Sequence, residues 1–460
     1  MLEPLDAASF GREHAVHLLS RAGFGGTRGE IDAVVALGLD AAVDRLMDFP
    51  DAPPSEVDDG PDLSVLEGIP KTRTEQRQMV RQLETEAERD ALQAKIRQAN
   101  REVVQRSIDW WWDRMARGVA PLQDKLSLLW HGHFTTSARD IRQEARLVWP
   151  QHETLRTHLA GNFGDFCKAI ARDPAMILYL NNQQNRVGAP NENFARELME
   201  LFMLGIGNYS ENDIKQAARA FTGWHTDGES FTLRQLQHDD GTKTVFGYSG
   251  NFDGDDIVDL ILRHPACSKY VCRELLAYFV TSEPDEAVVE SLAAVLVEHG
   301  YDLRPVYDVM FRSAYFFDPA HIGNRIKSPV ELLVGLVHQT GFEAPPARQL
   351  IRHFQKMGQV LFNPPTVKGW PSGREWINTA TLFARNNACI DLAAQRGYRY
   401  LHEDETSEQF VARWVDALYP NGLPSSRTAP IVESVGVAPT DASARAALQL
   451  IVTLPEYQLG

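Results

Sequence analysis

A chain of 460 residues with 43% hydrophobic and 23% charged residues is long and apolar enough for two or three core-bearing units, which excludes wholesale disorder. Its 46 basic against 62 acidic residues give a formal net charge of −16, a surface that repels phosphate backbones and anionic lipid. No local basic patch offsets this, so neither nucleic acid nor membrane insertion is expected.

The start, MLEPLDAASFGREHAVHLLSRAGFG, has acids near the front, no basic n-region and no uninterrupted apolar run. It does not read as a secretory signal, and no stretch approaches the ~20 apolar residues of a spanning helix, so a cytoplasmic location is expected. Within a first unit, 1–70, residues 8–48 predict three short helices from apolar positions at helical spacing, with breaks at Gly23, Gly25, Gly26 and Gly38. The Pro- and Asp-rich stretch 49–70 reads as a surface linker. Residues 71–117 predict one long helix. Its first part is highly charged, with a thin apolar stripe at Met79, Leu83, Leu92 and Ile96, which suits a projecting or antiparallel arm; Trp110, Trp111 and Trp112 mark its return to the core.

The main body, 118–400, starts with a run of helices over 121–222. Ser210 and Asp213 form a capping-box-like start and Gly223 a stop. The only strand signals, at 231–233 and 244–246, predict a small β-hairpin around the turn HDDG. Helices follow at about 254–263, 266–280, 285–299, 303–313, 328–341 and 346–357, then a Pro- and Trp-rich loop at 363–378 and a helix to about Gln395. The tail unit, 401–460, predicts two further helices joined by a loop around 424–439. Cys167, Cys267, Cys272 and Cys389 follow no zinc or redox spacing and read as buried thiols. The expected fold is all-α: a large multi-helix body with a long charged helical arm and a small β-hairpin insertion.

Four polar runs stand out. In DKLSLLWHGHFTTS (124–137), Leu122, Leu126, Leu129, Trp130 and His133 share one helical face. His133 therefore points inward, bonded to a carboxylate or a carbonyl, with His131 about 200° away around the helix. The two histidines can ligate one metal only if Gly132 ends the helix. In PNENFARELMELF (190–202), Asn191 can cap, and Glu192, Asn193, Arg196, Glu197 and Glu200 lie opposite an apolar arc. They form either a solvated face with Glu192–Arg196 and Arg196–Glu200 pairs, worth roughly 0.2–0.5 kcal/mol each, or a functional edge. Met203 and Leu204 fall on the same polar arc, and carboxylates at a half-covered boundary are where acid–base chemistry arises. In FTGWHTDG and HDDGTKTVFG, turn chemistry explains Asp227–Gly228 and Asp240–Gly241 but not His225, His238, Asp239 or Lys243. In FNPPTVKGWPSGREWIN (362–378), prolines stiffen a loop whose Trp370 and Trp376 can wall a pocket, with Lys368 and Asn378 as polar tips. NFDGDDIVD (251–259) reads as a helix cap, and no phosphate-binding loop, dinucleotide fingerprint, GxSxG or HExxH is present.

GREHAVHLLSRAGFGGTRGEIDAVVALGLDAAVDRLM, LWHGHFTTS, RDPAMILYLNNQQN, PNENFARELMELFMLGIGNY, AARAFTGW, HDDGTKTVFG and PPTVKGWPSGREWIN together resemble the bacterial domain of unknown function 1800 family, over about residues 10–395. The resemblance implies a large helical protein and brings neither an established activity nor catalytic residues. It also implies a gene neighbour resembling alkaline phosphatases and sulfatases, hence a protein partner of that fold, and relatives that are exported.

Two readings of function follow. The first is an enzyme acting on a small polar or anionic substrate through His133, Asn193, Arg196, Glu197, Glu200, His238, Asp239 and Lys243, with Lys368 and Trp370 also binding substrate. Glu197 or His133 would be the general base, and Arg196 or Lys243 would hold the anionic group. A divalent metal on His131, His133, Glu197 or His238 is a sub-case. The second is a non-catalytic accessory protein that docks its partner through the charged arm at 71–105, the polar runs then being buried hydrogen-bond networks.

Overall fold

The computed structural model describes residues 2–49, 60–395 and 397–460, with the Gln143 side chain also left aside; residues 50–59 of the expected linker lie outside the described residues. The protein is mostly α-helical, and among the described residues its sheets are two antiparallel pairs of short strands. The three expected N-terminal helices are Arg12–Arg21, Arg28–Leu37 and Leu39–Met47. Thr27 and Glu30 close a reciprocal capping box on the second, and Gly38, at φ +78°, joins it to the third. No described helix is long and apolar enough to cross a membrane.

Two large apolar clusters make up most of the core. One gathers Leu122, Trp130, Phe134, Phe202 and Leu276, the other Trp111, Leu128, Leu333, Phe362 and Trp414. Helix Pro121–His133, opened by proline in its first turn, contributes to both and is buried on nearly every side. Its polar residues must then find partners inside the protein. The carboxylate of Asp124 accepts from Arg114 Nε at 3.2 Å and Arg156 Nη1 at 3.0 Å, and Lys125 Nζ donates to Gly23 O at 2.8 Å.

The stretch 71–117 departs from the expected single helix. It forms helices Arg73–Arg81 and Glu86–Arg117, because Thr85 and Glu88 make a capping box in mid-sequence: Glu88 N donates to Thr85 Oγ1 at 3.2 Å, and Thr85 N donates back to Glu88 Oε2 at 2.9 Å. The arm is also tied to the body. Ile96 and Ala99 pack with Ile69, and Arg73 N donates to Asp227 O at 2.9 Å.

The expected hairpin around HDDG is replaced by two separate ones. Strand β1 (Trp224–Thr226) pairs with β2 (Phe231–Leu233), and β3 (Lys243–Val245) pairs with β4 (Tyr248–Gly250). The β3–β4 turn is Phe246–Gly247, with φ +50° and +82°, two left-handed residues as a tight two-residue hairpin requires. The strand signals were correctly placed, but each pairs with a neighbour of only three residues, Trp224–Thr226 and Tyr248–Gly250, too short to show an alternating pattern.

Two further differences concern helices. Asn193–Glu197 continues as a π-helix, Leu198–Met203, whose wider winding carries Met199, Met203 and Leu204 into the core. An ideal 3.6-residue wheel had left Met203 and Leu204 on the polar arc. In the tail, the expected loop around 424–439 contains a third helix, Ser425–Val435, between Ser407–Leu418 and Asp441–Ile451. Pro430 disguises it as a breaker, while Ile431 and Val435, one turn apart, anchor it in the core.

Candidate functional site

His133 ends helix Pro121–His133, and its Nε2 lies 2.8 Å from Phe202 O. A carbonyl only accepts, so Nε2 carries the proton and Nδ1 keeps its lone pair. Burial holds the ring's pKa down at about 4, and it is neutral near pH 7. The inward, carbonyl-bonded role expected of His133 is met. His131 is also buried, but on the opposite side, among Trp111, Phe362 and Trp370, and burial lowers its pKa to about 3. The helix runs unbroken through Gly132, so the two imidazoles diverge. Among the described residues no three His, Cys, Asp or Glu side chains gather to hold a metal ion.

The loop 363–378 is pressed onto the end of this helix. At Gly369, φ is +88° and an added Cβ would lie 2.2 Å from Gly132 O, so only glycine permits the approach. That contact sets Lys368 and Trp370 beside His133 in a cleft of about 220 Å³, whose other walls include Tyr270, Glu274, Tyr278, Arg325 and Trp376. The cleft runs into a second hollow of about 290 Å³ that shares Glu274, Tyr278 and Arg325 and reaches Asn324 and Arg374. Asn378, expected as a polar tip, instead caps the following helix by accepting from Thr381 N at 3.0 Å.

Glu274 is the carboxylate of this cleft. It is half-buried, makes no hydrogen bond or ion pair with the described residues, and has its pKa raised by burial against the opposing pull of Arg273. Arg325 sits over the Tyr278 ring at 4.6 Å with Nη2 3.5 Å from Glu331 Oε1. Tyr270 donates its hydroxyl to Leu201 O at 2.7 Å.

Glu197 and Glu200 lie close by on the π-bulged helix. The pKa of Glu197 is raised first by burial and then by Glu200, with Arg196 and Lys368 opposing. Glu200 accepts from the Tyr209 hydroxyl at 2.9 Å. Arg196 does not bridge to Glu200 as the spacing suggested. It is held by Glu211 at 2.9 and 2.8 Å and by Glu192 at 3.1 Å, at the surface, and Asn193 is exposed.

His238, Asp239 and Lys243 belong to a different network that fastens the hairpins to helix Glu211–Ala220. His238 Nδ1 donates to Thr222 O at 2.8 Å, and Asp239 receives Arg219 at 2.8 and 3.0 Å. Lys243 is sealed from solvent with Nζ on Asp239 O and 3.3 Å from Asn251 Oδ1. None of the three lines the cleft. Of the residues singled out in the sequence, then, His133, Lys368, Trp370 and Trp376 meet in one place, with Glu197 and Glu200 adjoining.

With this geometry in hand, the sequence matches the family described as protein of unknown function, DUF1800, over residues 17–459. The chain belongs to the DUF1800 family. No curated protein and no solved structure matches it. The DUF1800 match takes in the tail helices past residue 395, where the resemblance read from the motifs stops, and it spans every residue of the cleft.

The DUF1800 cleft also contains residues that sequence reasoning missed. Tyr270, Glu274 and Tyr278 follow one another at intervals of four on helix Pro265–Phe279, a single stripe beside the buried Val271, Cys272, Leu275 and Phe279. A carboxylate between two tyrosines at that spacing was a visible signal. Arg325 lies in an irregular segment without periodicity, and nothing in its neighbourhood marked it.

Proposed function

We propose that the protein is an enzyme that binds a small polar or anionic molecule in the cleft between His133, Trp370 and Glu274, and that Glu274 is its general acid–base. The observation that carries this is Glu274 itself: a half-buried carboxylate with no ion-pair partner among the described residues and a raised pKa, in an aromatic-walled cleft. A carboxyl whose pKa is raised by burial holds its proton more tightly and suits the giving and taking back of a proton that general acid–base catalysis requires. Lys368 and Arg325 supply positive charge for an anionic group, and Trp370 and Trp376 supply flat apolar walls. His133 suits a hydrogen-bond acceptor through Nδ1 better than a base, since its conjugate acid is too strong at a pKa of about 4. Arg196 and Lys243 are both already engaged and Arg325 is paired with Glu331, which favours Lys368, without an ion-pair partner among the described residues, for the anionic group.

The test is a panel of chromogenic p-nitrophenyl esters, phosphates and glycosides, with thermal shift by simple carboxylates and phosphate monoesters read alongside. Turnover by the unaltered chain that is lost in Glu274→Gln, while the ligand-induced shift persists, supports the reading. Turnover unchanged by Glu274→Gln sinks it.

A further inference from the structure

Lys327 stands just before helix Pro329–Thr340 and lines neither the cleft nor the hollow beside it. Its backbone is pinned on both sides. N donates to Gln458 O at 2.8 Å, and O accepts from Arg385 Nη2 at 2.7 Å. The side-chain stem lies against Gly460, and Nζ sits over the Tyr457 ring, 4.1 Å from its centroid. Tyr457 is buried and donates its hydroxyl to Gln339 Oε1 at 3.4 Å, which fixes the ring beneath the amine. Held in this way, Nζ makes no hydrogen bond or ion pair among the described residues. Nor is it sealed, because it is not one of the unpartnered polar atoms that solvent cannot reach.

Lys327 lines a half-open pocket of about 310 Å³ between helix Arg12–Arg21 and the tail, whose walls are mainly apolar, among them Val16, Ile322, Leu418 and Leu423. The other ionisable side chains on it are already committed. Glu456 holds Arg427 at 2.7 Å, and Tyr419 donates to Ile451 O. His17 is kept neutral by burial, with its pKa at about 3, and its Nε2 lies 3.0 Å from Phe316 O. The pocket therefore offers a hydrocarbon-lined space and one uncommitted amine.

We propose that Lys327 is a nucleophilic amine that captures a small apolar aldehyde or ketone in this pocket as a Schiff base. Ligand pockets run from roughly 300 to 1,000 Å³, so this one takes a small molecule, and its walls suit a hydrocarbon body. An amine attacks a carbonyl carbon only without its extra proton, and burial near other cations is how a protein strips a lysine of it. Burial lowers Lys327 to about 8, assisted by Arg385 and Lys125 against Cys389 and Glu331. The opposition of Cys389 is slight at neutral pH, since its own thiol is pushed up to about 12 and stays uncharged. In the step, the nitrogen lone pair forms a C–N bond and the carbonyl π pair moves to oxygen. Both protons of the neutral amine then leave with that oxygen as water, which gives a C=N bond without oxidant or cofactor. The site does not depend on the proposed chemistry of Glu274.

The experiment treats the full chain with hexanal and sodium cyanoborohydride, which traps the Schiff base as a secondary amine, and maps the adducts by peptide mass spectrometry. At pH 7, Lys327 is expected to be alkylated at least about tenfold faster than any other lysine, with a rate half-maximal near pH 8 rather than 10.5. 1-Hexanol, which has the same chain without the carbonyl, is expected to slow this adduct alone, and Lys327→Met to remove it. Should that variant not fold, the unaltered chain in urea decides, since Lys327 is expected to lose its advantage there. Labelling spread evenly over the lysines, or a Lys327 rate that rises only toward pH 10.5, overturns the proposal. So does thermal stabilisation by hexanoate with no Lys327 adduct, because the pocket would then be an anion site.

Discussion

Lys125 and Glu331 form an ion pair inside the protein, their side chains only 1% and 6% exposed. The two are not equivalent, because Glu331 also serves Arg325 whereas Lys125 otherwise meets uncharged partners among the described residues, Gly23 O, Ser20 O and the Phe24 ring. Removing one partner of a buried pair typically costs about 3–5 kcal/mol, since the other charge stays behind. Lys125→Met leaves Glu331 with Arg325 and is expected at the low end of that range. Glu331→Gln leaves several cations without their shared carboxylate and is expected at or above the high end. Urea unfolding of the two variants checks the order; equal losses would show that Arg325 contributes nothing to holding Glu331.

His338 and Glu30 make a pair of opposite pH character. His338 Nε2 lies 2.9 Å from Glu30 Oε2 and its Nδ1 lies 3.4 Å from Ala116 O, and since neither oxygen can donate, the ring is protonated there. The hydrogen bond to Glu30 raises the His338 pKa above 6.5, and Glu30, despite burial, is lowered to about 2, chiefly by its bond with His338. A raised histidine contributes stability that is full below its unfolded pKa of 6.5 and lost as pH rises through its folded value. A lowered glutamate contributes stability that is full above 4.5 and lost as pH falls toward 2. The stability difference between the unaltered chain and His338→Gln is therefore expected to peak between about pH 4.5 and 6.5 and to shrink on either side. The measurement is the urea midpoint of both proteins across pH 3.5 to 9, roughly the span of the two titrations.

Four other histidines, three of them buried and His133 half-buried, act in the opposite sense. His17 and His131 are held down at about 3, His133 at about 4 and His152 well below 6.5, each first by burial. Unfolding frees each to take up a proton once the pH drops below 6.5. Stability then falls as pH falls from 6.5 toward the folded values, by about 1.4 kcal/mol per pH unit for each fully titrating ring. Acid unfolding is expected to begin near pH 6 rather than in the carboxylate range near 4, and a single acid limb confined below pH 4 would contradict it.

How much of this was legible varies by residue, for physical reasons. His133 could be read because helical spacing ties it to Leu122, Leu126, Leu129 and Trp130, and those apolar partners fix which way the face turns. His131 could not, because a helix buried on both sides gives no solvent face to contrast with. Met203 and Leu204 were left on the polar arc since π-winding changes the angle per residue and no local residue pattern announced it. The break at Thr85 was present in the sequence as Thr85 and Glu88 but was masked by continuous charge. Arg325 and Glu331 come together only through tertiary packing, which no spacing rule encodes.

Glu274 yields a prediction that separates function from stability. Burial raises its pKa, so the folded state binds a proton more tightly than the unfolded state does. The resulting penalty is absent below the unfolded value of 4.5 and grows as pH rises through the folded value. Glu274→Gln is expected to leave stability unchanged at pH 4 and to raise it at pH 8. A residue that destabilises its own fold at neutral pH is characteristic of a site retained for chemistry. A loss of stability at pH 8 would place Glu274 among the structural carboxylates instead.

The loop that shapes the cleft can be tested through two of its glycines. Gly369 sits at φ +88° with Gly132 O where a Cβ would go, while Gly373 sits at φ +51° with nothing within 4 Å of that position. Gly373→Ala meets only left-handed backbone strain and is expected to cost about 1 kcal/mol. Gly369→Ala meets strain and a backbone collision that no side-chain rotation relieves, and is expected to cost about 3 kcal/mol or more. Because Gly369 lies between Lys368 and Trp370, the collision must also lift the loop off helix Pro121–His133. The Trp370 ring, packed edge-on against His131 at 5.2 Å, would then move toward solvent. Gly369→Ala should therefore shift tryptophan emission to longer wavelength under native conditions, and Gly373→Ala should not. Identical emission and equal stability in the two variants would mean that the Gly132–Gly369 contact does not hold the loop.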